Sequence, residues 1–190
     1  MDNAGRFGQS SIPKRLTFNV RIDKMNKRTT AIAIFALLCV ACVAHALWYY
    51  PQLPEQVAHH FGATGEPDAW GHKTHFLIVY LVTVGVMAAT FLGAGLLMPK
   101  IPNYAINLPN KDYWLAPKRR QQTLDYMLPQ LLWMGSLTMI LLLNVFHQSF
   151  QVHLGNATEL NNIGITMGAY LTLTTVWCIA IYKKFKKIES

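Results

Sequence analysis

Four runs of the sequence contain no Asp, Glu, Lys or Arg: Thr30–Tyr49, Phe76–Met98, Met127–Phe146 and Ile163–Tyr182. Crossing about 30 Å of hydrocarbon takes about 20 such residues in a helix. Each run qualifies, and together they leave little room for any soluble arrangement. Hydrophobic residues make up 52% of the 190 positions and charged ones only 14%, far from the balance of a soluble domain. The chain is therefore expected to be an all-α integral membrane protein with four transmembrane helices. The spans lie at about 30–49, 76–98, 127–146 and 163–182. They are preceded by a basic arm over 1–28 and joined by loops at 50–75 and 99–125.

The charges give the orientation. Sixteen of the 17 basic residues lie before the first span, between the second and third, or after the fourth; Lys73 is the exception. Lys and Arg concentrate in the short cytoplasmic segments of membrane proteins. Both termini and the 99–125 loop are thus expected in the cytoplasm, with 50–75 and 147–162 outside. The net charge of +8 is explained by orientation and by anionic lipid, and no nucleic-acid motif accompanies it. A cleavable signal ending at Ala44-His45-Ala46 is a rival reading of the first run. The apolar stretch continues unbroken to Tyr49, so the span is read as retained.

The polar stretch from Tyr49 to Lys73 is the residue-specific part of the chain. Pro54 suits the first turn of a short helix. Leu53, Val57 and Phe61 recur every four residues and form its apolar face, with Gly62 as a left-handed stop. Gly65-Glu66-Pro67-Asp68 reads as a turn. Trp70 and Trp48-Tyr49-Tyr50 suit a headgroup boundary. In the 99–125 loop, turn formers alternate with Tyr104, Tyr113 and Trp114 and point to an ordered segment at the interface. Pro129 is expected near the first turn of the third span.

All seven histidines fall outside the spans or toward one end of them: His45, His59, His60, His72, His75, His147 and His153. His59, His60, His72 and His75 are the candidate ligands for a Zn²⁺ or Cu²⁺ ion. Their spacing matches no recognised metal motif. Cys39 and Cys42 form a Cys-x-x-Cys pair, but in an apolar helix they read as small packing residues. Gly85, Ala89 and Gly93, and Gly164 with Gly168, are spaced for close helix–helix packing. Proton relays and ion couplers carry ionisable residues inside their spans, and these spans carry none of Asp, Glu, Lys or Arg. Nucleophile elbows, phosphate loops and paired catalytic carboxylates are likewise missing from the sequence.

The order Tyr50-Pro51-x-Leu53-Pro54-Glu55-x-Val57-x-x-His60-Phe61-x-x-x-Gly65-x-Pro67-Asp68-x-Trp70-Gly71 resembles the signature of the domain of unknown function 1648. That domain also forms the N-terminal part of SdpI-type immunity proteins of bacterial membranes. The stretch Asn107–Pro117 resembles a segment that follows the domain in its shorter members. A separate C-terminal SdpI domain with further spans is not seen. The resemblance implies a multi-pass protein of the bacterial inner membrane, with no assigned activity. Two functions stay open. One is a non-enzymatic binding or accessory protein that docks a peptide, a lipid or a larger membrane complex, as in SdpI-like immunity. Its binding residues would be Leu53, Glu55, Val57, His60, Phe61, Pro67, Asp68 and Trp70. The other is a metal-handling or metal-dependent membrane enzyme using the histidines.

Overall fold

The computed structural model describes residues 14–188, with side chains from residue 27 onward. Its elements run α1 (Lys14–Tyr49), β1 (Gln56–Phe61), β2 (Pro67–His72), α2 (Lys73–Leu97), α3 (Lys111–Trp114), α4 (Arg120–His153) and α5 (Ile163–Lys186). Four helices are long and apolar enough to cross a membrane: α1 from Lys27, α2, α4 and α5. The expected spans are therefore present, although the helices outrun them. At 1.5 Å per residue the 34 residues of α4 extend about 50 Å, well beyond the hydrocarbon thickness. Part of the expected basic arm, from Lys14, is the first half of α1; residues 1–13 lie outside the described residues.

The core lies where α1, α2 and α4 meet. Phe35, Cys42 and Ala46 of α1, Phe76, Tyr80 and Val84 of α2, and Leu132, Met139 and Phe150 of α4 are buried together. Gly135 permits this approach. A Cβ there would lie 2.7–2.9 Å from the rings of Phe35 and Phe91, closer than packed carbon atoms tolerate. The small residues singled out in the sequence do not serve this purpose. A Cβ at Gly85, Gly93, Gly164 or Gly168 would meet nothing within 4 Å, so no neighbouring helix presses on these glycines. Helix α5 packs chiefly along α4, and Phe185 is its one buried residue.

Three local expectations are corrected. The fold is not wholly helical, since residues 56–72 form an antiparallel β-hairpin in place of the expected Pro54 helix. The left-handed residue is Gly65, at φ +93°, rather than Gly62. Pro129 sits well inside α4 and is buried. It supplies no N–H to the carbonyl of Asp125 one turn earlier.

Candidate functional site

The hairpin is seated on the end of the bundle formed by the last residues of α1, the start of α2 and the end of α4. It is carried by a 3₁₀ turn over Tyr50–Gln52 that redirects the chain out of α1. Strand β1 pairs Val57 with Gly71 and Ala58 with Trp70, but His60 with Ala69 and Phe61 with Pro67. The register shifts on both sides of His60. Such irregularities re-aim side chains, and here His60 Nδ1 and Asp68 Oδ1 meet across the strands at 2.5 Å. Gly71 leaves space for the His59 ring, which a Cβ would strike at 2.7 Å.

Three groups of contacts fix the hairpin. Val57 and Ala58 are fully buried beneath it, with Leu53 close behind. His153, buried at the end of α4, places Nε2 at 2.7 Å from the carbonyl oxygen of Ala58. An N–H donating to that carbonyl fixes the tautomer and leaves Nδ1, which is buried without a partner among the described residues. Phe76 meets the His153 ring edge-on at 4.6 Å, and Phe61 stacks on its other side at 6.2 Å. The turn is held by the segment between α4 and α5. The N–H of Leu160 donates to the carbonyl of Gly65 at 2.9 Å, and a Cβ on Gly65 would lie 2.7 Å from the Leu160 carbonyl oxygen.

The hairpin's join to α2 is polar. Lys73 Nζ contacts Glu55 Oε1 at 3.0 Å and the Leu53 carbonyl at 3.2 Å. The backbone N–H of Lys73 donates to the Glu55 carbonyl. His72 does two things at once. Its Nδ1 accepts from the N–H of Thr74 and caps α2, while Nε2 reaches Glu55 Oε2 at 2.9 Å. The hydrogen bond and positive charge of Lys73, with a smaller contribution from His72, hold the Glu55 carboxyl below its ordinary pKa. A lowered carboxylate pKa stabilises the fold above the unfolded value and ceases to do so as pH falls through the folded value. The stability difference between the wild type and Glu55→Gln is therefore expected at neutral pH and to shrink as the pH falls below the ordinary carboxylate range and through the lowered folded value. Thermal unfolding measured across that range checks it; a difference independent of pH would remove the Glu55–Lys73 tie from the account.

The structure sorts the sequence candidates into two sets. Leu53 and Val57 face the bundle and belong to its core, and Phe61 is half-buried against His153. Glu55, His60, Asp68 and Trp70 remain exposed, with Trp70 at 57%, and Pro67 is partly so. The candidate metal ligands are brought together only in twos. His60 faces Asp68, His72 faces Glu55, and the rings of His59 and His75 stand 5.8 Å apart. Among the described residues no three His, Cys, Asp or Glu side chains converge as a metal site would need.

Two features escaped the sequence reading. His153 is the residue on which the hairpin rests, yet in the sequence it is one of seven dispersed histidines. Beneath the hairpin a second chain of polar groups links three helices. Tyr80 Oη lies 3.3 Å from His45 Nδ1, and His45 Nε2 lies 3.2 Å from His147 Nδ1. The rings of Tyr49 and Phe150 stack alongside at 5.0 Å. In the sequence its only trace is the aromatic residues near one end of the first three runs.

Residues 37–84 match the model of the domain of unknown function 1648. The DUF1648 match begins within α1, takes in the whole hairpin and ends within α2. A protein of Archaeoglobus fulgidus described only as uncharacterized is 42% identical over 99 residues. That alignment covers 48% of this chain and 54% of the relative, so the chain spans about half the length of the relative it matches. No solved structure matches.

Proposed function

We propose that this is a non-enzymatic binding or accessory protein of a cellular membrane, whose hairpin docks a partner outside the cytoplasm. The carrying observation is a division within the DUF1648 hairpin. One side is bonded into the bundle through Ala58, Gly65 and Lys73, while Trp70, His60 and Asp68 stand exposed on the other. Binding sites built on rigid elements hold their geometry without an ordering cost on association. An exposed Trp beside a polar pair is the composition of an interface anchor. The orientation follows from the basic residues, of which only Lys73 belongs to the hairpin end. In this reading both termini and the 99–125 loop are cytoplasmic. A peptide, a lipid headgroup or a larger membrane complex would suit the exposed face, and the resemblance to SdpI-type immunity proteins favours a peptide.

Purification in mild detergent from native membranes tests this reading. The wild type is expected to retain a stoichiometric peptide, lipid or protein partner, and Trp70→Ala to lose it while keeping the wild-type unfolding midpoint. Wild-type protein that emerges with nothing bound, or a partner retained equally by Trp70→Ala, contradicts it.

A further inference from the structure

At the opposite end of the bundle, two basic segments distant in sequence are fastened together. The side-chain amide of Asn110 donates to the carbonyls of Phe185 and Lys186, at 3.3 and 2.9 Å. The Trp114 indole N–H donates to the Phe185 carbonyl at 2.7 Å. These bonds satisfy carbonyls of the last turn of α5, which have no partner within the helix. Phe185 is buried, with the rings of Trp114 and Tyr126 at 5.4 and 5.9 Å. The 98–119 loop is itself ordered. Arg120 bonds the side chain of Asn103 and the carbonyl of Ile101, and Thr123 bonds the carbonyl of Trp114.

Lys111, Lys118 and Arg119 lie in the segment so fastened, and Lys183, Lys184 and Lys186 in the last turn of the helix that it is bonded to. Arg119 lies over the Tyr113 ring at 3.9 Å and Lys184 over the Tyr126 ring at 4.4 Å. Neither contact neutralises a charge. The Glu55–Lys73, Glu55–His72 and Asp68–His60 pairs lie at the hairpin end. Among the described residues, the carboxylates of the loop and of the start of α4 are Asp112, which is exposed, and Asp125, which accepts the Gln121 amide. A helix C-terminus carries roughly half a negative charge, which offsets only a fraction of six cations. Like charges brought to one end of the bundle repel, and bonds to backbone carbonyls hold the two segments together.

Exposed Tyr104 and half-exposed Tyr113, Trp114 and Tyr126 cluster at the same end of the spans. Aromatic side chains of this kind settle at headgroup level, where anionic lipids attract juxtamembrane Lys and Arg. We infer that this platform is a binding site for the headgroup phosphate of anionic phospholipids, shaped by the junction of the loop with α5.

The full chain, stripped of lipid in detergent and mixed with phosphatidylglycerol or phosphatidylcholine, is examined by native mass spectrometry. Phosphatidylglycerol is expected to be retained several-fold more than phosphatidylcholine, and Arg119→Gln with Lys184→Gln to abolish the preference. Asn110→Ala and Trp114→Phe keep every cation but loosen the junction, and each is expected to reduce retention several-fold. Circular dichroism and the unfolding midpoint verify that each variant is folded; should Trp114→Phe unfold, Asn110→Ala with the charge variant decides. Equal retention of the two lipids overturns the inference. So does wild-type retention by folded Asn110→Ala, which would leave only separate surface charges. Complete displacement by millimolar inorganic phosphate would mark a general anion site and overturn it too.

Discussion

Replacing Gly65 by valine is expected to destabilise the seated hairpin by about 2–4 kcal/mol, from backbone strain and overpacking together. Two effects act on one atom. At φ +93° any Cβ is strained, a β-branched one most, and here that Cβ would also lie 2.7 Å from the Leu160 carbonyl oxygen. The strand could adapt only by lifting the turn away from the 154–162 segment, breaking the Leu160-to-Gly65 hydrogen bond. Damage should therefore be local. Amide exchange in β1 and proteolysis within 62–66 and 155–161 should both accelerate while the spans stay protected. Gly155 provides the control. It also has positive φ, at +74°, but a Cβ there would meet nothing within 4 Å. Gly155→Ala should cost about 1 kcal/mol, and the excess for Gly65→Ala measures the contact with Leu160. Equal costs at the two glycines would mean that the turn is not clamped.

Replacing His153 by phenylalanine should cost about 1–3 kcal/mol, the penalty for a buried acceptor left without a donor. The ring contacts with Phe61 and Phe76 can survive in such a variant, because the shapes are similar. What disappears is the N–H that meets the Ala58 carbonyl at 2.7 Å. His153→Gln restores a donor at comparable reach and should recover part of the loss. Thermal unfolding in one detergent, with amide exchange in β1 as a local probe, separates the two variants. A neutral His153→Phe would show that Ala58 finds another donor and that the hairpin rests on apolar burial alone.

These sites explain which parts of the molecule were legible in its sequence. A span is encoded locally, by length and by the exclusion of charge, so the four long helices could be read directly. The hairpin could not. Leu53, Val57 and Phe61 are spaced by four, and that interval keeps residues on one face of a helix and equally on one face of a strand. The alternating exposure of Pro67 to His72 would have decided between them, but Gly71 and Pro67 make that alternation faint in the letters. His153 and Leu160 became visible only through pairings some 95 residues away, with Ala58 and Gly65. The same holds for Asn110 and Trp114, whose partners are backbone carbonyls near the far end of the chain. Carbonyls leave no mark in a sequence.

Labelling of single cysteines by a membrane-impermeant thiol reagent in intact cells tests the account most directly. Cys39, Cys42 and Cys178 are first replaced by alanine, and Thr64→Cys or Pro117→Cys is then introduced; both positions are exposed, one in the hairpin turn and one in the opposite loop. Thr64→Cys is expected to react in intact cells, and Pro117→Cys only after the membrane is permeabilised. Reaction at position 117 with none at 64 would turn the protein over and put the hairpin where no external partner could reach it.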